Sequence, residues 1–395
     1  MTAYIEGERA RTAADAVAKI LADVQGALAS EPAASPSRAA EAALLCAYAG
    51  EAFPGIVADD RAEQLLERAI DALGAGACPM RLHEGVAGVA WIVDHLVGDP
   101  DDDPADDAVA DIDELVLDHL ARLPPDGDYD FVRGAVGLGA YGMARDHREC
   151  ARRIVQAVAA RMTASAVKTP HGLAWHTAAG RLPPHRRAVA PDGVLDVGMA
   201  HGAAGALAWL SALAGRIDDR ASWVSPDLLA AVARFVVHWG AGDRVTGWLP
   251  ASPHASDVRD PGGAPNASWC YGHTGVAMAL ELAGVALHDE TLRHTAVERA
   301  RALADDTTHA GLTNLGLCHG HAGVALLAGT MARRHDDDAL RRAAARRLGE
   351  LARDAAAAGP DDDRSLLSGS VGVALTLCWA VTGGTPGWAA LLMMA

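Results

Sequence analysis

The sequence predicts an all-α protein, an α/α toroid (barrel) in which about seven inner helices are wrapped by about seven outer helices. Three observations predict this class. A Gly-x-x-Gly motif recurs along the chain, an almost uncharged segment follows each motif, and charged amphipathic segments lie between them. Strand signals are nearly absent, although short hairpin or loop insertions are expected at the mouth. We expect residues 1–395 to form one domain. An open solenoid is the alternative that the repeat period alone leaves possible.

The repeated motif reads as a polar residue, then Gly-x-x-Gly, then a run of Ala, Val, Leu or Met. Its first glycines are separated by 49, 68, 70, 48 and 49 residues, and they are Gly85, Gly134, Gly202, Gly272, Gly320 and Gly369. A unit of about 49 residues fits two helices and their connections. One repeat before Gly85, the stretch SRAAEAALLCAYAG (37–50) reads as a degenerate first inner helix, which makes seven pairs.

Charge separates the two helical layers. The segments RAEQLLERAIDALGAG (61–76) and LRRAAARRLGELARDAAAAG (340–359) carry their charges on one face, as a solvated outer helix does. The segments after the glycine motifs are almost uncharged, as expected of helices surrounded by protein. Glycine at the start of an inner helix permits a sharp turn and a close approach of neighbouring helix ends. In a ring, the polar residues before the first glycines would face one mouth; they are Glu84, Arg133, His201, Tyr271, His319 and Ser368.

The two longer spacings hold insertions of about 20 residues beyond the ordinary repeat. Residues 169–193 and 246–268 are rich in Pro, Gly, His and Trp, and they lead directly towards His201 and Cys270. We expect loops or short hairpins that cover the mouth and shape a substrate groove.

Composition excludes several function classes. The net charge is −17 and the basic residues are scattered singly, so no basic stripe for nucleic acid exists. We expect no signal peptide, because residues 1–17 lack the basic start and the apolar run of one. The uncharged stretch 365–395 is broken by GGTPG (383–387), which leaves each half too short to span a bilayer. From this break we expect no integral membrane segment. Because the six cysteines show no disulfide-framework spacing and no export signal is expected, we expect a cytoplasmic protein.

Two cysteines and one histidine form a candidate metal site. Cys270 and Cys318 each stand two residues before the first glycine of consecutive repeats, and His319 follows Cys318. Adjacent side chains diverge on a helix, but in the turn before a helix they can converge on one ion. Cys, Cys and His suit zinc, and three protein ligands leave the fourth tetrahedral position open. The other four cysteines are expected to be small core residues.

A histidine and an aspartate belong to the same predicted mouth. His201 lies in GMAHGAAG, and Asp130 lies four residues before the first glycine of its own repeat. Beside a metal ion, such a pair is typical of a general acid and a general base.

Three motifs in series carry a resemblance to a known family. They are AHG at 200–202, WCYG at 269–272 and CHG at 318–320. With these motifs, the sequence resembles the lanthionine synthetase C-like proteins, specifically the stand-alone cyclases of class I lanthipeptide biosynthesis. The resemblance covers nearly the whole chain. It implies a toroid of seven plus seven helices with Zn²⁺ at its mouth.

The resemblance also implies a reaction and its residues. A precursor peptide with dehydrated Ser and Thr brings a Cys thiol to the zinc ion, and the thiolate adds to dehydroalanine or dehydrobutyrine to form a thioether ring. Cys270, Cys318 and His319 match the zinc ligands. His201 matches the proton donor to the enolate, Asp130 matches a catalytic aspartate that orients or deprotonates, and Tyr271 matches a tyrosine at the site. A dehydratase and a transporter of the same pathway are further expected partners.

One position departs from the family pattern. The family often has arginine four residues before the WCYG cysteine, where this chain has Asn266. An arginine there could stabilise the enolate. We consider four replacements for that charge: Arg133, Arg186, Arg187 and Arg259.

Three other functions remain open at this point. A non-catalytic homologue would hold zinc, a thiol or a peptide without turnover, and the change at Asn266 favours it. A prenyltransferase-like zinc enzyme would also activate thiols, but it normally uses an Asp-Cys-His ligand set and basic residues for a diphosphate. A glycosidase would need two opposed carboxylates, for which the mouth offers only Asp130 and Glu84.

Overall fold

The structure, a computed structural model, describes most of the chain in two units. The described residues are 3–31, 35–76, 78–99, 101, 103, 107–216, 222–241, 247–252, 258, 266–306 and 311–395. The first unit comprises Met1–Val109, Ala304–Asp306 and Leu312–Ala395, and the second comprises Ala110–Leu303 and Thr307–Gly311. The expectation that residues 1–395 form a single domain stays a prediction.

Fifteen α-helices and five short strands occur among the described residues. The helices are α1 (Gly7–Ser30), α2 (Pro36–Ala52), α3 (Arg61–Ala75), α4 (Val86–Val97), α5 (Ala110–Arg122), α6 (Ala135–Ala144), α7 (Glu149–Ser165), α8 (Pro184–Val189), α9 (Ala203–Ala214), α10 (Pro226–Gly240), α11 (His273–Leu287), α12 (Glu290–Asp305), α13 (His321–Arg334), α14 (Asp338–Ala357) and α15 (Ser370–Thr382). The strands are β1 (Val167–Thr169), β2 (Gly172–Ala174), β3 (His176–Thr177), β4 (Val194–Asp196) and β5 (Trp248–Pro250). None of these helices is long and apolar enough to cross a membrane.

The predicted alternation of buried helices and solvent-facing helices is confirmed within each unit. Seven helices are buried along most of their length, namely α2, α4, α6, α9, α11, α13 and α15. In α15, for example, every residue from Ser370 to Ala380 is buried. The long intervening helices are amphipathic. In α14, for example, Leu340, Ala344 and Leu348 are buried at helical spacing. The degenerate first inner helix predicted at 37–50 is α2.

The strands lie in the insertions or directly beside them. Residues of the first insertion form an antiparallel hairpin of β1 and β2, with Val167 opposite Ala174. Strand β4 pairs antiparallel with β3 on one side and with β5 on the other. The predicted hairpin is therefore confirmed, whereas the three-stranded sheet was not predicted. Much of the second insertion, including Arg259, lies outside the described residues.

Space, rather than unusual dihedral angles, explains the glycine motifs. The first glycine before α11, Gly272, has φ −118°, which any residue can adopt. A Cβ atom on Gly272 would clash with the carbonyl oxygen of Asn266, and one on Gly275 would clash with that of Trp269. The turn is folded back against the start of its own helix, so only hydrogen fits. The close approach lies inside the turn itself. The predicted close approach of neighbouring helix ends stays a prediction.

A glycine substitution measures this crowding. Gly372→Ala in α15 would push a methyl group into the carbonyl of Leu366. We expect the free energy of unfolding to fall by about 1–3 kcal/mol. Gly26→Ala, in α1 with nothing nearby, is the control and should raise it by about 0.4–1 kcal/mol. Urea denaturation of both variants tests this, and equal effects would contradict it.

An Asp or Asn side chain braces four of the turns. It stands six residues before the first glycine, and its Oδ1 accepts the N–H two residues further on. The four are Asp196 (to Gly198, 2.9 Å), Asn266 (to Ser268, 2.8 Å), Asn314 (to Gly316, 2.9 Å) and Asp363 (to Ser365, 2.9 Å). Such Asx turns replace backbone partners that a tight turn lacks. This signal is visible in the sequence, but the sequence analysis missed it.

Glu41 is an ionisable group inside the first unit. It lies on α2, is 8 % exposed, and its Oε2 accepts the N–H of Leu366 at 2.9 Å. Burial raises the pKa of this carboxyl to about 8, and the charges of Glu84 and Asp363 add to the effect. Glu41 is therefore protonated in the folded protein at neutral pH.

Glu41→Gln should change how stability depends on pH. The folded-state pKa lies above the unfolded one, so the wild type loses stability as pH rises from about 4 to about 8, by at most about 1.4 kcal/mol per pH unit. Glutamine keeps the acceptor for Leu366 without ionising. We therefore expect the free energy of unfolding of the variant, measured by urea denaturation relative to that of the wild type, to be higher at pH 8 than at pH 5. If the difference in free energy of unfolding between the variant and the wild type does not vary with pH, Glu41 is not buried in its uncharged form.

Candidate functional site

The turn before α11 fixes the position of Cys270. Asn266 accepts the Ser268 N–H, and the Ser268 hydroxyl in turn accepts the Tyr271 N–H at 3.3 Å and lies 3.5 Å from the Cys270 sulfur. The Cys270 carbonyl accepts the Ala200 N–H at 3.1 Å. The thiol therefore lies on a braced turn that is hydrogen-bonded to the residue before His201.

The turn before α13 presents Cys318 and His319. The N–H groups of Leu317 and Cys318 both donate to the carbonyl of Leu367, at 3.0 and 2.7 Å. The His319 carbonyl accepts the Thr313 N–H at 3.0 Å. Since α13 begins only at His321, the adjacent pair lies in the turn, as predicted.

The three predicted metal ligands meet the basic requirement for binding an ion. Cys270, Cys318 and His319 each offer one ligand atom, and these atoms all lie within 4.8 Å of one another. In the part of the chain that the structure describes, this is the one group of three or more metal-ligating side chains found together. Two thiols and an imidazole suit zinc, so the residues present fit that ion.

The remaining cysteines differ from this group. Cys46 and Cys378 are buried, and Cys78 and Cys150 are partly buried. Burial raises the pKa of all four thiols, to about 11 for Cys46. All four are thus protonated at neutral pH. The prediction that they are core residues is confirmed for Cys46 and Cys378 and is wrong for Cys78 and Cys150, which are only partly buried.

His201 and Asp130 form a hydrogen-bonded pair in the second unit. The His201 Nδ1 lies 3.0 Å from Asp130 Oδ2, and Asp130 Oδ1 accepts the Arg133 N–H at 2.6 Å. Burial opposes the charged imidazolium, but the hydrogen bond and charge of Asp130, with the charge of Asp196, outweigh it. The pKa of His201 is therefore raised. Because Asp130 occupies Nδ1, the other ring nitrogen is left for proton transfer.

Asp196 is a carboxyl group that the sequence analysis missed. It is 2 % exposed, and its Oδ2 lies 3.8 Å from a guanidinium nitrogen of Arg186. Burial raises its pKa to about 7, although the charges of His201 and Arg186 and the Gly198 N–H act the other way. Asp196 therefore adds a second acidic group next to the His201–Asp130 pair.

Tyr271 and Arg186 complete this part of the site. The Tyr271 ring centroid lies 5.9 Å from that of His201, and the Arg186 guanidinium carbon lies 5.0 Å from the Tyr271 centroid. Burial, followed by the charge of Asp196, raises the pKa of Tyr271, so the phenol stays protonated. A neutral phenol and a guanidinium are both hydrogen-bond donors.

The four candidate arginines have different positions. Arg186, on α8, contacts Tyr271 and Trp248 and lies near Asp196. Arg187 donates to three carbonyls of its own loop. Arg133 is near enough for its charge to lower the pKa of His201. Arg259 lies outside the described residues. Of the described candidates, only Arg186 contacts the Tyr271 ring.

The shared mouth of six polar residues stays a prediction. In the second unit, His201 and Tyr271 do lie together. In the first unit, Glu84 pairs with Arg81 at 3.0 Å, and the Ser368 carbonyl accepts from the Asn314 amide at 3.1 Å. The roles assigned to Asp130, His201 and Tyr271 also stay predictions.

Comparisons with known proteins agree with this picture. A family model described as "Lanthionine synthetase C-like protein" matches residues 40–393. The solved structure of nisin cyclase superposes with a TM-score of 0.73 at 17% sequence identity, covering 90% of each chain. At that identity, the likeness shows the fold, and the predicted α/α toroid is confirmed. No curated protein sequence matches this chain.

Proposed function

Because the chain belongs to the lanthionine synthetase C-like family, we propose that it is a zinc-dependent cyclase of lanthipeptide biosynthesis. The proposed reaction is the intramolecular addition of a Cys thiol to dehydroalanine or dehydrobutyrine in a precursor peptide. The product is a (methyl)lanthionine thioether ring. One observation carries the proposal: the ligand atoms of Cys270, Cys318 and His319 lie within 4.8 Å of one another.

The proposed metal has one chemical task. A zinc ion held by Cys270, Cys318 and His319 would lower the pKa of a peptide thiol at its fourth position, from about 8.5 for a free cysteine. The protein then has to place the alkene carbon against that sulfur and supply a proton.

His201 is the proposed proton donor. When sulfur bonds to the β-carbon, the alkene electrons move towards the neighbouring carbonyl, and the α-carbon must then gain a proton. The Nδ1–H of charged His201 donates to the Asp130 carboxylate, which favours the charged imidazole and orients the ring, so its other nitrogen can donate. The proton lost by the thiol passes to solvent, and solvent recharges the imidazole, so the protons balance.

Tyr271 and Arg186 are the proposed stabilisers of the developing negative charge. The pKa of Tyr271 is raised by burial, so its hydroxyl remains a donor. Arg186 lies over the Tyr271 ring and provides a cation that Asn266 cannot. Donors aimed at a developing oxyanion typically contribute about 10²–10³-fold in rate. Asn266 instead braces the turn of Cys270, which explains why a shorter polar residue fits there.

A direct assay tests the proposal. The zinc-loaded protein is incubated with a dehydrated Cys-containing peptide and then treated with a thiol-alkylating reagent. Ring closure removes the alkylatable thiol without a change in peptide mass. Full alkylation after incubation, for peptides that the protein binds, would contradict cyclase activity.

The pH dependence of the rate should report on the His201–Asp130 pair. If charged His201 donates the proton, kcat/KM falls as pH rises through its pKa. Asp130→Asn removes the charge that raises this pKa, so the fall should begin at lower pH. Asp192→Asn, at an exposed aspartate of the same unit, is the control and should leave the profile unchanged. An unshifted profile in Asp130→Asn would contradict this role.

The proposal also sets the cellular context. The substrate must already carry dehydrated residues, so a dehydratase has to act before this protein, and a transporter of the same pathway would act after it. Reactive cysteines must stay reduced until they are used, for which we propose the cytoplasm.

A non-catalytic homologue is the second candidate, and the asparagine at position 266 favours it. Such a protein would bind zinc and the peptide but leave the thiol alkylatable. The alkylation assay therefore separates the two candidates.

A further inference from the structure

A groove in the second unit lies away from the residues discussed above. It has a volume of about 1060 Å³. Its walls are the β1–β2 hairpin at 168–173, one face of α10 between Ala230 and His238, and the junction of α11 and α12 at 287–292. We name it the hairpin groove. It is at the upper end of the usual range for ligand pockets.

The hairpin groove is preformed. The His171 ring stacks on the His238 ring, with centroids 3.5 Å apart and planes 9° from parallel. The Gly172 backbone lies directly against α10, where a Cβ atom would clash with the carbonyl of Ala231. Behind the hairpin, the buried Trp175 donates to the Met162 carbonyl at 3.0 Å. Because these contacts fix the hairpin on α10, a ligand would not have to order the wall.

The charge of the groove is opposite to that of the chain. Lys168 and Arg234 are exposed on its rim, and neither pairs with a carboxylate of the described residues. The one carboxylate that lines the groove, Asp289, accepts the N–H groups of Thr291 and Leu292 and so caps α12. A protein of net charge −17 thus presents two cations here that form no ion pair within the described part of the chain.

The floor of the groove is apolar. Leu173, Leu287 and Leu292 line it, and Val237 on α10 is 37% exposed. The lining of α10 from Ala230 to His238 spans about 12 Å, which is the reach of about four residues of an extended chain. Cations on the rim above an apolar floor suit a peptide with alternating acidic and apolar side chains.

We propose that the hairpin groove docks an extended acidic and apolar segment of the substrate peptide, away from the residues that are being cyclised. This inference rests on the proposed function. A cyclase that closes more than one ring must release one reacted thioether and admit the next thiol. A second attachment keeps the peptide at high effective concentration during that exchange.

A binding experiment tests the groove without requiring catalysis. The probe is a labelled synthetic peptide in which glutamate and leucine alternate, titrated with the full-length protein and followed by fluorescence anisotropy. The double variant Lys168→Glu/Arg234→Glu should raise Kd at least tenfold. Added salt should weaken binding to the wild type. Arg11→Glu/Arg353→Glu is the control, since it makes the same charge change at exposed positions outside the groove.

Four results with the peptides would overturn the proposal. These are no saturable binding to the wild type, equal weakening by the control variant, equal binding of a peptide in which lysine and leucine alternate, and binding that does not respond to the groove variant. Groove-dependent binding to phosphatidylserine vesicles without binding of the peptide would also overturn it, because it would identify a lipid-surface site.

A kinetic experiment separates this proposal from the proposed function. Two dehydrated Cys peptides are compared, one with and one without an appended glutamate–leucine segment. The segment should lower KM for the wild type but not for the groove variant, while kcat and zinc content stay unchanged. If neither peptide is cyclised, the proposed function fails while the binding experiment still reports on the groove. Cyclisation with the same KM for both peptides would overturn the docking proposal alone.

Discussion

Cys318→Ala is expected to abolish tight zinc binding. Losing even an outer-shell partner of a metal ligand costs about 10–100-fold in affinity, so removing a direct thiolate ligand should cost at least about a hundredfold. The affinity can be measured by competition with a chromophoric chelator. We expect no detectable cyclisation by this variant at zinc concentrations that saturate the wild type.

The matched control is Cys150→Ala. Cys150 is a partly buried cysteine on α7, outside the ligand group, and its pKa is raised by burial. This variant should bind zinc as the wild type does. If Cys318→Ala also kept its zinc affinity while remaining folded, Cys318 would not be a ligand.

His201→Ala is expected to slow ring closure by about 10²–10⁴-fold, the usual contribution of a positioned acid or base. Zinc content should not change, because His201 is not one of the three ligands. Single-turnover alkylation assays would show a slow loss of the peptide thiol at unaltered peptide affinity. The result would locate His201 in the chemical step.

The control for His201 is His294→Ala, at an exposed histidine on α12. It should leave the rate and the zinc content unchanged. A rate for His201→Ala within a factor of about two of the wild type would remove His201 from the proposed mechanism. Loss of zinc in that variant would show instead that His201 supports the metal.

The sequence predicted the repeat plan because the repeats carry two independent signals. The glycines mark the helix starts, and the charge pattern separates the helices that are buried all round from those that bury one face. Equivalent register also predicted that Cys270 and Cys318 would lie in equivalent turns, each two residues before a first glycine. These are short-range relations that a repeat makes visible along the chain.

Contacts made through the insertions could not be predicted in this way. Asp196 is a single carboxylate in the sequence, and its burial depends on strand β4, which pairs with β3 and β5 from two separate insertions. Arg186 reaches Tyr271 from the short helix α8, across 85 residues of sequence. No spacing rule encodes such a contact. Asp196 does have one local signal, its place six residues before Gly202, which it shares with Asn266 and Asn314.

The groove between the hairpin and α10 also depends on tertiary packing. The sequence indicated loops or short hairpins in the first insertion, and the antiparallel pairing of β1 with β2 agrees with it. The stack of His171 on His238, however, joins residues 67 positions apart. Only the folded second unit shows that Lys168 and Arg234 share one rim.

X-ray absorption at the zinc edge tests the central claim most directly. We predict one zinc ion per chain with two sulfur ligands at about 2.3 Å, one imidazole nitrogen at about 2.0–2.1 Å and one light, exchangeable donor. Adding a dehydrated Cys-containing peptide should replace that donor with a third sulfur. Protein that binds no zinc, or a zinc ion held by four protein donors that do not change when the peptide is added, would contradict the claim.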